Sequence, residues 1–190
     1  ITNHDKDKAS SNTVTIDANG KNDKVEVTLK DVNIDASRGS EAAVSVTGKG
    51  DTTIELDGDN ELKSGAGHAG LEHNKTDTSG ELTIQDKDNN GSLEAAGGFK
   101  GAGIGSAGSN DAQVKITGGN ITATTSDDWG AGIGSGSYGT GTVEITGGEI
   151  NATGGYLGAG IGGGSKKDSS GITISGGKVI ANGGWCGAGI

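Results

Sequence analysis

Four aromatic residues stand in the two positions before a recurring Gly-Ala-Gly-Ile motif: Phe99, Trp129, Tyr156 and Trp185. The chain contains only five aromatic residues, so most of them share this one setting. Aromatic rings in a row on a solvent-exposed edge can bind sugars, because the C–H groups of a sugar meet the negative face of the ring. The alternative is that the rings shield a corner or pack on one another across neighbouring strands. The pattern therefore predicts either a ligand platform or a packed aromatic ladder.

Residues 86–94 resemble the first nine positions of an EF-hand calcium loop. Asp86, Asp88, Asn90 and Glu94 stand where that loop places oxygen ligands, and a glycine occupies its sixth position. The resemblance ends at position 12, where Gly97 replaces the bidentate glutamate, and no segment with helical periodicity flanks the loop. We favour an acidic turn between strands over a calcium site on these four side chains. No cofactor other than this calcium candidate is predicted.

A third cluster combines two histidines with a carboxylate: His68, Glu72 and His73. Its H-x₃-E-H spacing differs from that of the helical zinc motifs. In an extended strand, residues five positions apart point to opposite faces, so His68 and His73 are not expected to share a metal. A zinc site is therefore not favoured.

Hydrolysis of a glycoside requires two carboxyl groups roughly 5–9 Å apart across a cleft. In the regular repeats Glu144 falls between Lys115 and Thr173, which predicts ordinary cross-strand pairing of charges. Asp127-Asp128 and Asp168 belong to separate loops. We therefore predict that the chain is not an enzyme, and keep a polysaccharide-active enzyme fragment as an alternative.

Composition and charge argue against several classes of binding partner, and also against a membrane span and a disulfide bond. The chain has 190 residues with 40 glycines and no proline, and only 29% of its residues are hydrophobic. Its formal net charge is −10, and Lys166-Lys167 is the only basic pair in the repeats, so nucleic acids and anionic membranes are poor partners. No apolar run approaches the roughly 20 residues of a membrane-spanning helix. The single cysteine, Cys186, excludes an internal disulfide bond.

Internal repeats organise the whole chain. The Gly-Ala-Gly-Ile motif occurs at 101–104, 130–133, 158–161 and 187–190, at intervals of 29, 28 and 29 residues. A second motif moves with it, because residues 114–119 return as 143–148 and again as 172–177. Self-similarity at a period of 20–50 residues indicates a solenoid in which each repeat packs on its neighbours.

Three columns of apolar residues run through these repeats. The first holds Val27/Leu29, Ile54/Leu56, Leu82/Ile84, Val114/Ile116, Val143/Ile145 and Ile172/Ile174. The second holds Ile34, Leu62, Leu93, Ile121, Ile150 and Val179. The third holds Val44, Leu71, Ile104, Ile133, Ile161 and Ile190. Within each segment the apolar residues alternate with polar ones, as in strands with one buried face, and Gly-Gly or Asx-Gly turns separate the first column from the second. The chain is therefore predicted to be all-β, a right-handed parallel β-helix of about six coils, each with 27–32 residues and three short strands.

The recurring ITGG and GAGIGGG motifs resemble glycine-rich repeats of bacterial surface and secreted proteins, often labelled carbohydrate-binding-domain-containing, with pectate-lyase-like β-helices. The resemblance covers roughly residues 25–190. It implies an exported, multi-domain protein of Gram-positive type that contacts glycans. It carries over no catalytic residue, because the matching positions are glycines, alanines and aliphatic core residues.

These observations predict a non-catalytic β-helix module that acts at a cell surface or in secreted form. Residues 1–12 are expected to form a polar linker or frayed end, and residues 13–190 a β-helix segment of a larger protein whose uncapped C-terminal end is covered by further domains or another subunit. A glycan or host-surface ligand is expected along the aromatic corner. The alternative is a structural stalk, or spacer, of a surface adhesin without its own ligand.

Overall fold

The computed structural model describes residues 1–125, 129–169 and 171–190. Within these ranges the chain is entirely β-structure and turns, and no helix is present. The strands are β1 (Val14–Ala18), β2 (Lys24–Lys30), β3 (Asn33–Asp35), β4 (Val44–Gly48), β5 (Asp51–Lys63), β6 (Leu71–His73), β7 (Leu82–Gln85), β8 (Gly91–Gly97), β9 (Ile104–Gly105), β10 (Ala112–Ile116), β11 (Asn120–Thr125), β12 (Ile133–Gly134), β13 (Gly141–Ile145), β14 (Glu149–Thr153), β15 (Ile161–Gly162), β16 (Ile172–Ile174) and β17 (Lys178–Asn182).

The strands stack into three parallel ladders that run along the rod. Ladder A has the order β2-β5-β7-β10-β13-β16, ladder B the order β3-β5-β8-β11-β14-β17, and ladder C the order β1-β4-β6-β9-β12-β15. Successive coils contribute one strand to each ladder in turn, and β5 belongs to both A and B. The predicted right-handed parallel β-helix of about six turns is confirmed.

The three apolar columns form the interior. Ile104, Ile133 and Ile161 are fully buried and lie in direct register on ladder C. The alternating pattern of strands such as β10, where buried and half-exposed residues follow one another, puts one face of each ladder inside. The predicted stacking of corresponding residues in successive coils is therefore correct for ladder C.

The predicted register is wrong where β5 meets the next coil. The first column was expected to align Ile54 with Leu82, but Ile54 pairs with Ile84, and Leu82 pairs with Thr52. In the second column Leu62 pairs with Ala95 instead of Leu93. The shift is already present at the start of β5, before the corner at residues 57–60. β5 is one strand of 13 residues that passes from ladder A to ladder B at this corner, where Gly58 has a φ of +68°.

A buried asparagine supports this continuous strand. Asn60 is 2% exposed and lies in register with Leu93. Its side-chain oxygen accepts the Val32 N–H at 3.0 Å, and its Nδ2 donates to the Ser92 carbonyl at 3.0 Å. The amide thus connects the coils on both sides of β5, and this satisfies its own polar atoms in the interior.

The later coils turn from ladder A to ladder B at glycine pairs, as predicted. Gly119, between β10 and β11, has a φ of +98°, and the equivalent Gly148 has a φ of +93°. Positive φ is readily available to glycine and strained for other residues. The earlier coils also have a positive φ at the corner between ladders A and B, at Asp31, Gly58 and Asn89.

The segment before β1 follows the first coil. Thr2 forms a parallel bridge with Lys30, and Ser10 forms one with Ile34. The Asn3 side chain also donates to the Asn33 carbonyl at 2.7 Å. Residues 1–12 therefore run alongside β2 and β3 at this end of the rod.

Candidate functional site

The turn between ladders B and C presents the aromatic residues. In residues 98–101 the Gly101 N–H donates to the Gly98 carbonyl at 2.9 Å, which places Phe99 and Lys100 at the two central positions. Lys100 has a φ of +71°, as the third residue of a type II turn requires. Residues 155–158 and 184–187 close with equivalent bonds of 2.9 and 3.0 Å. Leu157 and Cys186, the third residues of these two turns, do not have the positive φ of Lys100, so the turn type differs. Phe99, Tyr156 and Trp185 nevertheless occupy the same second position of the turn, as the sequence predicted.

Glycine at the end of this turn permits the close stacking of coils. A Cβ on Gly101 would lie 2.0 Å from the His68 carbonyl oxygen, and one on Gly130 would lie 2.1 Å from the Gly101 oxygen. Real Cβ atoms do not approach an oxygen so closely, so these positions accept no side chain unless the coils separate. The first glycine of each Gly-Ala-Gly-Ile motif therefore allows successive aromatic turns to stack directly over one another.

Most of the aromatic side chains at this corner are accessible. Phe99 is 42% exposed, Tyr156 49% and Trp185 84%, whereas Trp129 is half-buried. Strands in a sheet are about 4.8 Å apart, so Phe99 and Tyr156, two coils apart, are separated by roughly 10 Å along the rod. In the described part of the chain no ring contact joins Phe99, Tyr156 and Trp185. Asp128, the residue expected at the intervening position, lies outside the described residues.

A fifth aromatic residue, which was not predicted at this site, lies beside Trp129. Tyr138 lies in the turn from ladder C to ladder A, and its ring centroid is 6.1 Å from that of Trp129, at an interplanar angle of 50°. The two turns meet because the strands of ladder C between them are only two residues long, as in β12. The short Ile-Gly strand was the available signal, since it leaves little distance between the corners that it joins.

Two lysines complete the site. The Lys100 ammonium lies 5.0 Å from the centroid of Phe99 and 5.9 Å from that of Trp129. The Lys166 ammonium lies 5.6 Å from the centroid of Trp129 and 5.4 Å from that of Tyr138. Such cation–π contacts contribute about 0.5–1 kcal/mol at exposed positions and hold the rings and lysine stems in a preferred arrangement. We call Phe99, Lys100, Trp129, Tyr138 and Lys166 the aromatic–lysine cluster.

The four candidate calcium ligands do not converge. Asp86 is buried, and its two carboxylate oxygens accept the N–H groups of Asn90 at 3.2 Å and Gly91 at 3.0 Å. Asp88 and Asn90 are exposed on the turn, and Glu94 points outward from β8. No group of three or more acidic, histidine or cysteine side chains is placed to bind a metal within the described ranges. The geometry is that of a carboxylate-capped turn and does not fit calcium.

The histidine–carboxylate cluster forms a local network. Glu72 is 4% exposed, and its carboxylate faces His68 Nδ1 at 2.8 Å, the Ala69 N–H at 3.2 Å and Asn74 Nδ2 at 3.1 Å. His73 points away from this network and into the core, where it is 2% exposed. Burial lowers the pKa of His73 below its ordinary value. The two histidines therefore face different environments, as the five-residue spacing predicted.

The acidic residues of the regular coils form cross-strand pairs. Glu144 lies in register between Lys115 and Thr173, and its carboxylate is 3.3 Å from the Lys115 ammonium. This arrangement was predicted from the repeat alignment. Asp127 and Asp128, considered above as loop carboxylates, lie outside the described residues.

Comparison with known proteins supports the fold. A family model described as Beta helix repeat matches residues 114–137, 139–165 and 172–190. No curated protein and no solved structure matches the chain. In the described ranges, no helix has the length and apolar character needed to span a bilayer. The chain is thus a parallel β-helix, and its C-terminal coils are similar to the repeat that the matched family model describes.

Proposed function

We propose that the chain binds a glycan, or a host-surface ligand that carries one, along the corner formed by Phe99, Trp129, Tyr156 and Trp185, as a non-catalytic module. The observation that carries the proposal is the placement of these aromatic residues on successive turns of one corner, with Tyr138 beside Trp129. Phe99, Tyr156 and Trp185 are exposed, and the faces of aromatic rings attract the C–H groups of sugars. The proposal places the chain at a cell surface or among secreted proteins, where extended glycans are displayed.

The spacing of the exposed rings suits an extended ligand. Rings on alternate coils recur roughly every 10 Å along the rod, and those on adjacent coils about every 5 Å. A chain of sugars that runs parallel to the rod can contact several of these rings at once. Each ring contact is expected to raise the affinity for the glycan about two- to tenfold. Several contacts made by one glycan multiply these factors.

A glycan array with the purified chain, followed by titration of each positive glycan, tests the proposal. The double variants Tyr156→Ala/Trp185→Ala and Trp129→Ala/Tyr138→Ala should each weaken binding by about tenfold or more, because each removes two rings. Ile180→Ala is the matched control, since Ile180 is 47% exposed on ladder B, outside the corner. Full binding by both double variants contradicts the assignment of the ligand to this corner.

The second candidate function is a spacer without its own ligand. The observation that favours it is the unbroken parallel pairing of all three ladders from β1 to β17, which makes the chain a continuous stack. A spacer predicts no saturable binding to any glycan and the scattering profile of a rigid rod. Saturable binding that depends on the aromatic residues eliminates this alternative.

A further inference from the structure

A cavity of about 500 Å³ opens where ladder C turns into ladder A in the first coils. It shares no residue with the aromatic–lysine cluster. Charged side chains of both signs line it: Lys21, Lys49, Lys75, Asp51, Asp77 and Glu81. Its volume lies within the roughly 300–1,000 Å³ typical of small-molecule sites.

The backbone fixes the three lysines on successive coils. Lys21 lies in a turn that the Asp23 N–H closes on the Gly20 carbonyl at 2.9 Å. The Lys49 N–H donates to the Ala18 carbonyl at 2.8 Å, and the Lys75 N–H donates to the Asp111 carbonyl at 2.8 Å. With about 4.8 Å between coils, the backbones of the three residues span roughly 10 Å along the rod.

The opposite charges around the cavity do not pair with each other. In the described part of the chain, Lys21, Lys49 and Lys75 have no carboxylate within the 4.0 Å of a salt bridge. Lysines on the sheet faces do form such salt bridges: the Lys30 ammonium lies 2.8 Å from the Asp57 carboxylate. Asp51 instead accepts the Glu81 N–H at 3.0 Å, which holds one carboxylate of the cavity in place through the backbone.

We propose that this cavity binds a short peptide with free termini, whose carboxylate meets the lysines and whose ammonium meets Asp51, Asp77 and Glu81. A purely anionic ligand would face these three carboxylates, and a purely cationic one would face the three lysines, so a ligand with both charges fits best. Gln113 also lines the cavity, and its side-chain amide can donate to and accept from a peptide group. That amide favours a peptide over other zwitterions.

Three probes with the same backbone test the charge requirement by isothermal titration of the full chain. Triglycine carries both terminal charges, N-acetyl-triglycine only the carboxylate, and triglycinamide only the ammonium. Triglycine should bind, and each blocked form should bind about tenfold more weakly, because it loses attraction either to the lysines or to the carboxylates and leaves those charges unpaired. Equal affinity for the three probes, or no binding of triglycine at millimolar concentration, overturns the proposal.

A pair of variants tests the location. Lys49→Ala/Lys75→Ala should weaken triglycine binding by about tenfold, since an exposed ion pair contributes about two- to fivefold. Lys30→Ala/Lys87→Ala is the matched control, because it changes the net charge equally at residues that line no part of this cavity. An equal loss in both variants would show nonspecific charge attraction and overturn the site. The outcome is independent of the glycan proposal, because Trp129→Ala/Tyr138→Ala should leave triglycine binding unchanged.

Discussion

The coils before and after Gly98 close the same corner of the β-helix by different contacts. After Gly98 the corner is formed by Gly-Ala-Gly-Ile-Gly, with backbone packed directly on backbone. In the preceding coil the corresponding residues are 68–72, where Glu72 lies in register with Gly105. There the buried Glu72 carboxylate accepts two N–H groups of its own coil and lies 2.8 Å from His68 Nδ1.

The residue after Glu72, and the residue after Gly105 in the next coil, also differ between the two regions. His73 is in the place of Ser106, and in the next coil Ser135 follows the same strand. Ser106 Oγ donates to the Asn110 carbonyl at 2.5 Å and accepts the Gly136 N–H at 3.1 Å, which ties one turn to the next coil. His73 faces the Gly80 carbonyl at 3.0 Å across a longer turn. The same position after the ladder C strand thus holds either a serine that is hydrogen-bonded to the next coil or a buried imidazole. The two regions should therefore respond differently to substitution and to pH.

The largest difference is expected for glycine substitutions. Gly130→Ala should lower the free energy of unfolding by about 3 kcal/mol, because its Cβ would lie 2.1 Å from the Gly101 oxygen. Gly67→Ala, in the preceding region, should lose only about 1 kcal/mol, since no atom lies within 4 Å and the cost is that of its φ of +90°. Urea unfolding measures both. Equal losses would show that close backbone packing does not determine the cost of adding a side chain at this corner.

Removal of the buried serine hydroxyl comes next. Ser135→Ala should cost about 2 kcal/mol in the free energy of unfolding, because the Gly139 carbonyl and the Gly164 N–H lose their shared partner in the interior. Ser165→Ala is the control, since its hydroxyl makes one part-buried bond of 3.2 Å to the Ser137 carbonyl. Urea midpoints should show the smaller effect at Ser165, and a reversed order would refute the structural importance of the buried serines.

The histidine region should respond to acid. Burial lowers the folded-state pKa of His73 below the ordinary 6.5, so the folded protein favours the neutral imidazole. The contribution of neutral His73 to the free energy of unfolding is therefore fully present above about pH 6.5. It is lost as the pH falls through the folded-state pKa, and the free energy of unfolding then changes by at most about 1.4 kcal/mol per pH unit. His73→Ser should reduce this loss, which the difference in unfolding free energy between pH 7.5 and pH 5.5 measures for both proteins. An unchanged pH dependence in the variant contradicts the assignment to His73.

The smallest effect is expected on the surface of the ladders. Lys115→Ala should change the free energy of unfolding by about 0.5 kcal/mol or less, because its 3.3 Å pair with Glu144 is solvent-accessible. The change should shrink further in high salt, where exposed charges are screened. A loss comparable with that of Ser135→Ala would mean that surface pairing contributes as much as buried hydrogen bonds do.

The candidate site was only partly predictable. The aromatic turn positions of Phe99, Tyr156 and Trp185 followed from the repeat, because equivalent residues of successive coils are stacked. Tyr138 and Lys166 were not found, since they reach Trp129 across a second corner whose distance depends on the short strands of ladder C. The calcium-like spacing of Asp86 and Glu94 did not predict that one would point inward and the other outward. The binding roles proposed for the aromatic residues remain predictions.

The sequence by itself determined the parallel β-helix, its period and most of its core, because a recurring apolar pattern of this kind can be buried only when the coils stack in register. The tertiary structure decided the two-residue shift at β5, where the repeat is irregular and hydrogen bonds such as those of Asn60 join the coils. It also decided which charged and aromatic side chains meet at the corners, since those contacts depend on the path of each turn in space. A repeat therefore specifies the height of a residue along the rod, whereas the folded turns specify its neighbours around it.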